Sequence, residues 1–425
     1  MRSSGGVVMD ATSDDSRAYR RALVQTLQRD GHLHSARVAE ALLATPRELF
    51  VPGVALADVY CPSEAIVTKR LAGVSVSSAS APEVIALMLE QLDPQPGQRV
   101  LEIGAGTGYN AALLAHMVGE TGHVVTVDID EDLVLSAREH LRAAGCAQVT
   151  VVQADGALGY PSEQAYDRII LTVASNDIAP AWREQLARPH GRLVMPLGLR
   201  SLQRCVAFVI EADHLVSRSM RNCSFIPLRG LLSVGAPRIA LDAQATRVLS
   251  GADEPLPQPT DAIAALLDAP LHVFPSGVWT SLEELREGLH LWLVAHLANV
   301  YTLWGGGQVP DLFRLPERLA ARGTLCILDG TAPGLALLAW ADDFARDGEL
   351  LVLAPEGSRP LAARVEQLLH AWVAAGRPTD ADAEVRAYPR TSTQAPLPGE
   401  VAIDQRWTRF VVSWSGTQPP ASLTV

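Results

Sequence analysis

The run Val100-Leu-Glu-Ile-Gly-Ala-Gly-Thr-Gly-Tyr109 gathers the residue types that a nucleotide-binding turn requires. Glu102 lies in an apolar strand pattern, Gly104, Gly106 and Gly108 alternate with Ala105 and Thr107, and helix formers follow from Asn110 to Met117. Glycine suits such a turn because the backbone bends sharply and a ligand must approach without meeting a Cβ. The N–H groups that open the next helix have no intrahelical partner and face whatever lies over the turn. A second apolar strand, 123–129, carries Asp128 twenty positions beyond Gly108. From there a carboxylate accepts from a ribose hydroxyl in a nucleotide-binding βαβ unit. The Gly-x-Gly-x-Gly spacing differs from the Gly-x-Gly-x-x-Gly of dinucleotide sites.

With an acidic residue two positions before its first glycine, the loop resembles the S-adenosylmethionine (SAM) loop of class I methyltransferases. Asp155-Gly156 closes a third apolar strand, where a carboxylate in a SAM site accepts from the adenine amino group; Asp-Gly is also a good turn in its own right. Ahead of the loop, Ser75, Ser77, Ser78 and Ser80 crowd a segment read as a loop. Ser80-Ala-Pro-Glu83 fits a helix capping box, which accounts for Ser80 and Glu83 and leaves the other serines unexplained.

The elements that must hold these residues are readable from periodicity. Helical spacing over 18–43 stops before Thr45-Pro46, and an amphipathic helix over 83–92 leads into the turn Pro94-Gln-Pro-Gly97. Strands are expected at 99–103, 123–128, 148–153, 167–172, 192–197 and 204–211, with helices at 109–118, 131–144 and 180–187. Alternation of this kind predicts an α/β fold with a mostly parallel sheet and its ligand crevice at the carboxyl ends of the strands. Farther on, the pattern is helix 281–298, strands 323–328 and 334–341, helix 358–375, then strands 383–388 and 406–414, which predicts an α+β domain with an antiparallel sheet. The stretch 250–259 has linker composition, or forms a loop within that domain.

The chain has 425 residues, long enough for two domains, and is 48% hydrophobic. We expect a flexible segment at 1–17, in which Met9 is an alternative start, then a methyltransferase-type domain at 18–232 and the α+β domain at 233–425. Seven of the eight tryptophans lie beyond residue 270, so the second domain has its own core. A net charge of −12 without a basic cluster argues against a nucleic-acid partner. No apolar run reaches the roughly 20 residues that span a bilayer. The five cysteines, 61, 146, 205, 223 and 326, show no paired spacing, so neither a disulfide frame nor a metal site is expected, and the chain reads as cytoplasmic.

Pro46-Arg-Glu-Leu-Phe-Val-Pro52, Ser78-Ala-Ser-Ala-Pro82, the glycine loop, Asp155-Gly156, Gly191-Arg-Leu-Val-Met-Pro196 and Phe225-Ile-Pro-Leu228 occur in the order found in protein L-isoaspartate (D-aspartate) O-methyltransferases. Residues 18–230 resemble that family. The resemblance implies a class I SAM-dependent methyltransferase fold, SAM as cofactor and S-adenosylhomocysteine as product. It places Ser80 beside the substrate carboxylate and assigns SAM contacts to Ser77, Glu102, Gly104, Ala105, Gly106, Thr107, Gly108, Asp128, Ile129, Asp155 and Gly156. Two departures stand out. Glu83 follows Ala-Pro where repair enzymes often carry His, and about 195 residues follow the Phe-x-Pro-Leu segment.

In Glu64-Ala-Ile-Val-Thr-Lys69, the serine-rich segment and Trp182, the chain is similar to extended methyltransferases of ribosomally made, modified peptides, including the lanthipeptide "FxLD" type. That implies methylation of an aspartate in a modified precursor peptide, with cyclisation to succinimide and hydrolysis to isoaspartate. Repair of isoaspartate in damaged proteins is the alternative. A non-catalytic peptide-binding scaffold is a third reading, against which the intact loop, Asp128 and Asp155 argue. A peptide carboxylate, with a pKa near ~3.9, is already an anion and needs no general base. No His-Asp or Cys-His constellation is evident, and His116, His123 and His140 are read as structural or solvent-facing.

Overall fold

In the computed structural model, which describes residues 14–161, 164–233, 238–251, 256–305, 323–340 and 348–414, the alternating pattern around the glycines folds as a parallel sheet. Helices α1 (Asp14–Arg29), α2 (Ala36–Ala44) and α3 (Leu56–Val59) precede it. The expected frayed start is shorter than anticipated: residues 14–17 already belong to α1, whose Ser16 is buried, and 1–13 lie outside the described residues. The single helical stretch expected over 18–43 breaks at Asp30–Ser35, and the Ser35 side chain accepts from the Val38 N–H to start α2.

Strands β1 (Ile66–Leu71) and β2 (Val74–Ala79) form an antiparallel hairpin that is a two-stranded sheet of its own. Ser75, Ser77 and Ser78 therefore lie on a strand rather than in a loop. Helix α4 (Pro82–Leu92) follows, and the expected capping box does not form: Ala81 is the N-cap, no side chain caps it, and Pro82 occupies the first turn.

Strands β3 (Arg99–Ile103), β4 (His123–Asp128), β5 (Thr150–Gln153), β6 (Arg168–Leu171) and β7 (Arg192–Leu199) pair in parallel in the order β5-β4-β3-β6-β7. Their apolar residues are buried on both faces, as a covered parallel sheet requires. Helix α5 (Tyr109–Val118) is apolar nearly all round, whereas α6 (Glu131–Ala143) buries only the stripe Leu133, Val134, Ala137 and Leu141. Helix α7 (Pro180–Gln185) is short and buries Trp182.

The chain separates into two compact units: Met1–Pro196, Cys205–Glu211 and Phe225–Ser233 form one, and Leu197–Arg204, Ala212–Ser224 and Val234–Val425 the other. The units interleave in sequence, so no single boundary at 232 divides them. The division is not marked in the sequence: β8 (Leu202–Glu211) is one continuous, mostly apolar strand although the units divide within it, and the mostly polar β9 (His214–Asn222) was not expected as a strand. In the second unit β9 pairs with β17 (Ala383–Pro389), β17 with β19 (Thr408–Trp414), and β19 with β18 (Val401–Asp404), all antiparallel. A second, seven-stranded antiparallel sheet contains β10 (Ile239–Ala240), β11 (Arg247–Ser250), β12 (Leu271–Thr280), β13 (Val300–Gly305), β14 (Thr324–Leu328), β15 (Leu335–Trp340) and β16 (Gly348–Pro355). Leu249, Ile263, Tyr301, Cys326, Leu335 and Leu353 pack into one core there, with Ile263 supplied by α8 (Thr260–Asp268). The helix expected over 281–298 is α9 (Leu282–Glu284), a π-helical turn at Leu285–Leu289, and α10 (His290–His296). Helix α11 (Arg359–Ala374) buries Trp372, whose Nε1 donates to Pro378 O at 3.1 Å. Among the described residues no cysteine forms a disulfide.

Candidate active site

The glycine loop leaves β3 at its carboxyl end and enters α5. Gly104 and Ala105 both donate backbone N–H bonds to Val127 O, at 2.9 and 3.0 Å, which lays the loop against the end of β4. Gly104, Gly106 and Gly108 all have positive φ (102°, 49° and 86°). A Cβ on Gly104 would come within 2.6 Å of Thr172 Oγ1, so the position admits no side chain. A Cβ on Gly106 would instead lie 3.8 Å from Ser78 O and 3.9 Å from Ser77 Oγ, in the gap between loop and hairpin. Thus β2 brings Ser77 to the loop. Ser77 is buried, and its hydroxyl accepts from Thr68 Oγ1 at 2.9 Å.

Asp128 closes β4 directly beneath. Its Oδ2 accepts from the Gly106 N–H at 3.0 Å and its Oδ1 from the Asp130 N–H at 3.2 Å. Burial raises its pKa, although those two donors oppose the shift. A carboxylate offers about four acceptor positions, so two remain for ribose hydroxyls. That donor set fits the cofactor end expected here. Ile129 and Thr107 border the same turn: Ile129 is half-buried, and Thr107 is buried with its carbonyl 3.0 Å from His140 Nδ1. His140 is therefore a brace behind the loop, while His116 is exposed and His123 half-buried.

Glu102 lies inside the sheet. Thr126 Oγ1 donates to it at 2.6 Å and Asn110 Nδ2 at 2.8 Å, yet burial pushes its pKa up to about 7. Asp155 has both oxygens engaged: Oδ1 accepts from Ala157 N at 2.9 Å and Oδ2 from Leu231 N at 2.8 Å. It therefore ties the turn after β5 to the segment at 230–231, besides standing at the strand end where an adenine acceptor is expected. Gly156 is buried against Ile103, and its carbonyl accepts from Trp182 Nε1 at 2.8 Å. Ser80 is half-buried, one residue beyond β2. Glu83 donates its N–H to Pro62 O at 3.1 Å, and its carboxylate lies 4.0 Å from His32 Nε2.

Three features of the site went unread in the sequence. The hairpin was one. The second is Asp130, whose carboxylate holds Lys69 Nζ at 2.7 Å and the Arg229 guanidinium at 2.7 and 3.0 Å. The third is Arg47, wholly buried beneath Ser80, with Nη2 donating to Ser80 O at 2.8 Å. A β-rich run on each side of Ala72-Gly73 was the available signal for the hairpin. Nothing local signals the other two. Among the described residues no cluster of three metal-ligating side chains occurs.

The family model described as protein-L-isoaspartate(D-aspartate) O-methyltransferase matches residues 18–233. A protein-L-isoaspartate O-methyltransferase of Methanopyrus kandleri is 38% identical over 223 residues, which is 51% of this chain and 96% of that relative. One of Hyperthermus butylicus is 40% identical over 227 residues, 50% of this chain and 90% of the relative. Among solved structures, a protein-L-isoaspartate O-methyltransferase aligns at a TM-score of 0.49 with 23% identity, over 86% of this chain and 96% of that one.

Proposed function

Because the chain belongs to the protein-L-isoaspartate(D-aspartate) O-methyltransferase family, we propose that it methylates the free carboxylate of isoaspartyl residues in proteins or peptides. It is a SAM-dependent protein carboxyl O-methyltransferase with a class I methyltransferase fold. The observation that carries the proposed site is the Asp128 carboxylate fixed under Gly106 with Ser77 across the gap.

When bound, SAM supplies an electrophilic methyl group on a sulfonium. The residues' work is to bind, align and keep water out. Asp128 would hold the ribose, and Gly104, Gly106 and Gly108 let the loop pass close to the cofactor. Asp155 and Gly156, braced by Trp182, border the adenine. Ser80 holds the acceptor carboxylate. That acceptor is ionised at neutral pH, so holding it aligned with the methyl group that SAM would supply accounts for most of the rate. No proton has to be removed, so the transfer calls for no general base. The nitrogen of the following main-chain amide then attacks the ester carbonyl, the C–OCH3 bond breaks and methanol leaves with the amide proton, giving succinimide that water opens to aspartate or isoaspartate.

A second reading, tailoring of a modified precursor peptide at an aspartate, has its own support. Glu83 adds negative charge on the helix beside Ser80, and the two relatives match only half of this chain. A linear isoaspartyl peptide and a cyclised aspartyl peptide, each incubated with SAM, separate the readings by methyl incorporation. Faster turnover of the linear peptide is expected, and a strong preference for the cyclised one would replace repair with tailoring. Asp128→Ala tests the cofactor site: SAM affinity measured by calorimetry should fall at least about tenfold, the loss of one well-made hydrogen bond. Unchanged affinity would remove Asp128 from the site.

A further inference from the structure

Pro46-Arg-Glu-Leu-Phe50 has no task in the reading above. It forms a 3₁₀ turn, Arg47–Phe50, that buries the whole Arg47 side chain. Burying a guanidinium is costly unless an acid pairs it. Among the described residues no carboxylate pairs with Arg47. Its neighbour Glu48 takes hydrogen bonds from Ser16 and Tyr60 and stands 3.6 Å from Arg20.

Arg47 binds main chain instead. Its Nε donates to Val59 O at 2.9 Å and its Nη2 to Ser80 O at 2.8 Å, with Ala79 O at 3.4 Å. Its Cζ lies 4.9 Å from the ring centroid of Tyr109, the residue that follows the last loop glycine. Two buried polar atoms here, Arg47 Nη1 and the Tyr109 hydroxyl, have no hydrogen-bond partner among the described residues. One buried cation, in the 3₁₀ turn, therefore joins three other pieces: the end of α3, the main chain at Ser80 and the helix opening after the glycine loop.

We infer that Arg47 is the positioning residue of the acceptor site: it fixes the Ser80 main chain and sets a buried positive charge behind the place where the acceptor carboxylate is held. The inference rests on the assignment of Ser80 to the acceptor. With the Ala79 and Ser80 carbonyls drawn to the guanidinium, the peptide planes on both sides of Ser80 are fixed, and with them the direction of its Cα–Cβ bond. The charge is permanent, because arginine is not deprotonated in proteins. Screened from water, it attracts an incoming anion more strongly than a surface cation would. Lysine cannot substitute: its ammonium lacks the rigid fork that spans Val59 O and Ser80 O together.

The test uses the full chain, a linear isoaspartyl peptide, and calorimetry of that peptide on the S-adenosylhomocysteine-bound enzyme. Arg47→Lys should weaken peptide binding and raise its KM about tenfold, as loss of a hydrogen bond to a charged group would, while SAM affinity holds within about twofold. Combined with Ser80→Ala, it should cost less than the product of the two single effects, because both act on the same contact. Tyr60→Phe is a second probe that keeps core volume. It removes the hydroxyl that accepts from the Arg47 N–H at 3.1 Å, and should raise the peptide KM without moving SAM affinity. Multiplicative effects in the double variant, an equal loss of SAM affinity, or an unchanged peptide KM in either probe would overturn the inference. Wild-type turnover reads the methyl-transfer assignment separately. Absence of peptide binding by the wild type would remove the Ser80 assignment and this inference with it.

Discussion

Glu102 shows how one side chain can serve a site and burden the fold. It is wholly buried with two donors, and its pKa still rises to about 7 because burial outweighs them. An unfolded glutamate titrates near about 4.3. Between those values the folded chain keeps a proton that the unfolded chain has lost, so stability falls as pH rises through that window. Glu102→Gln removes the titration and keeps the shape, since the Thr126 hydroxyl can turn to accept from the amide. Relative to wild type, the variant should gain stability between pH 5 and pH 8, by on the order of 2 kcal/mol. Thermal melts at the two pH values check it, and a difference that stays constant would show that Glu102 does not titrate there. Glu102, Asp128 and the glycines were legible in sequence because the geometry they serve is local. Arg47 was not, because the carbonyls it binds lie twelve to thirty-three positions away and an arginine in a turn ordinarily reads as exposed.

At the level of elements, the parallel strands were readable because a buried strand is almost continuously apolar. The hairpin β1–β2 was not. Its turn is Ala72-Gly73, both with positive φ (47° and 81°), and alanine there lacks the strong Asn-Gly or Asp-Gly signal. The ion pairs that hold the hairpin were equally hidden, since Lys69 and Asp130 are sixty-one positions apart. Asp130 is the clasp: Arg229 and Lys69 hold its carboxyl below the usual range, so the clasp's contribution is full above the ordinary carboxylate pKa and is lost as pH falls from there through the lowered one. Asp130→Asn should free the hairpin at neutral pH. Lys69 then keeps only Asp132, on the exposed start of α6, and trypsin should cut after Lys69 and the exposed Arg70 faster than in the wild type, without a matching fall in melting temperature. Equal cleavage rates would mean that the hairpin is held by something other than this clasp.

For the whole molecule, composition and the tryptophans pointed to a second core, but the interleaving of the units changes what a shortened chain can do. A chain ending at Ser233 has the extent that the family model matches, and relatives of about that length exist on their own. Here, however, that chain would keep β9 and lose its partner strand β17, with which Leu215 and Val216 are paired. Leu215, Val216 and Met220 are buried in the full chain and would meet water in the shortened one. An unpaired apolar strand edge templates aggregation. The shortened chain is therefore expected to self-associate in size-exclusion chromatography and to recover a monomeric peak when Val216→Lys and Met220→Glu are added. In the recovered form SAM should still bind, since Asp128, Ser77 and the glycine loop all belong to the first unit. A monodisperse, SAM-binding chain ending at Ser233 without those substitutions would show that β9 tolerates an open edge and that the second unit leaves the first one's folding untouched.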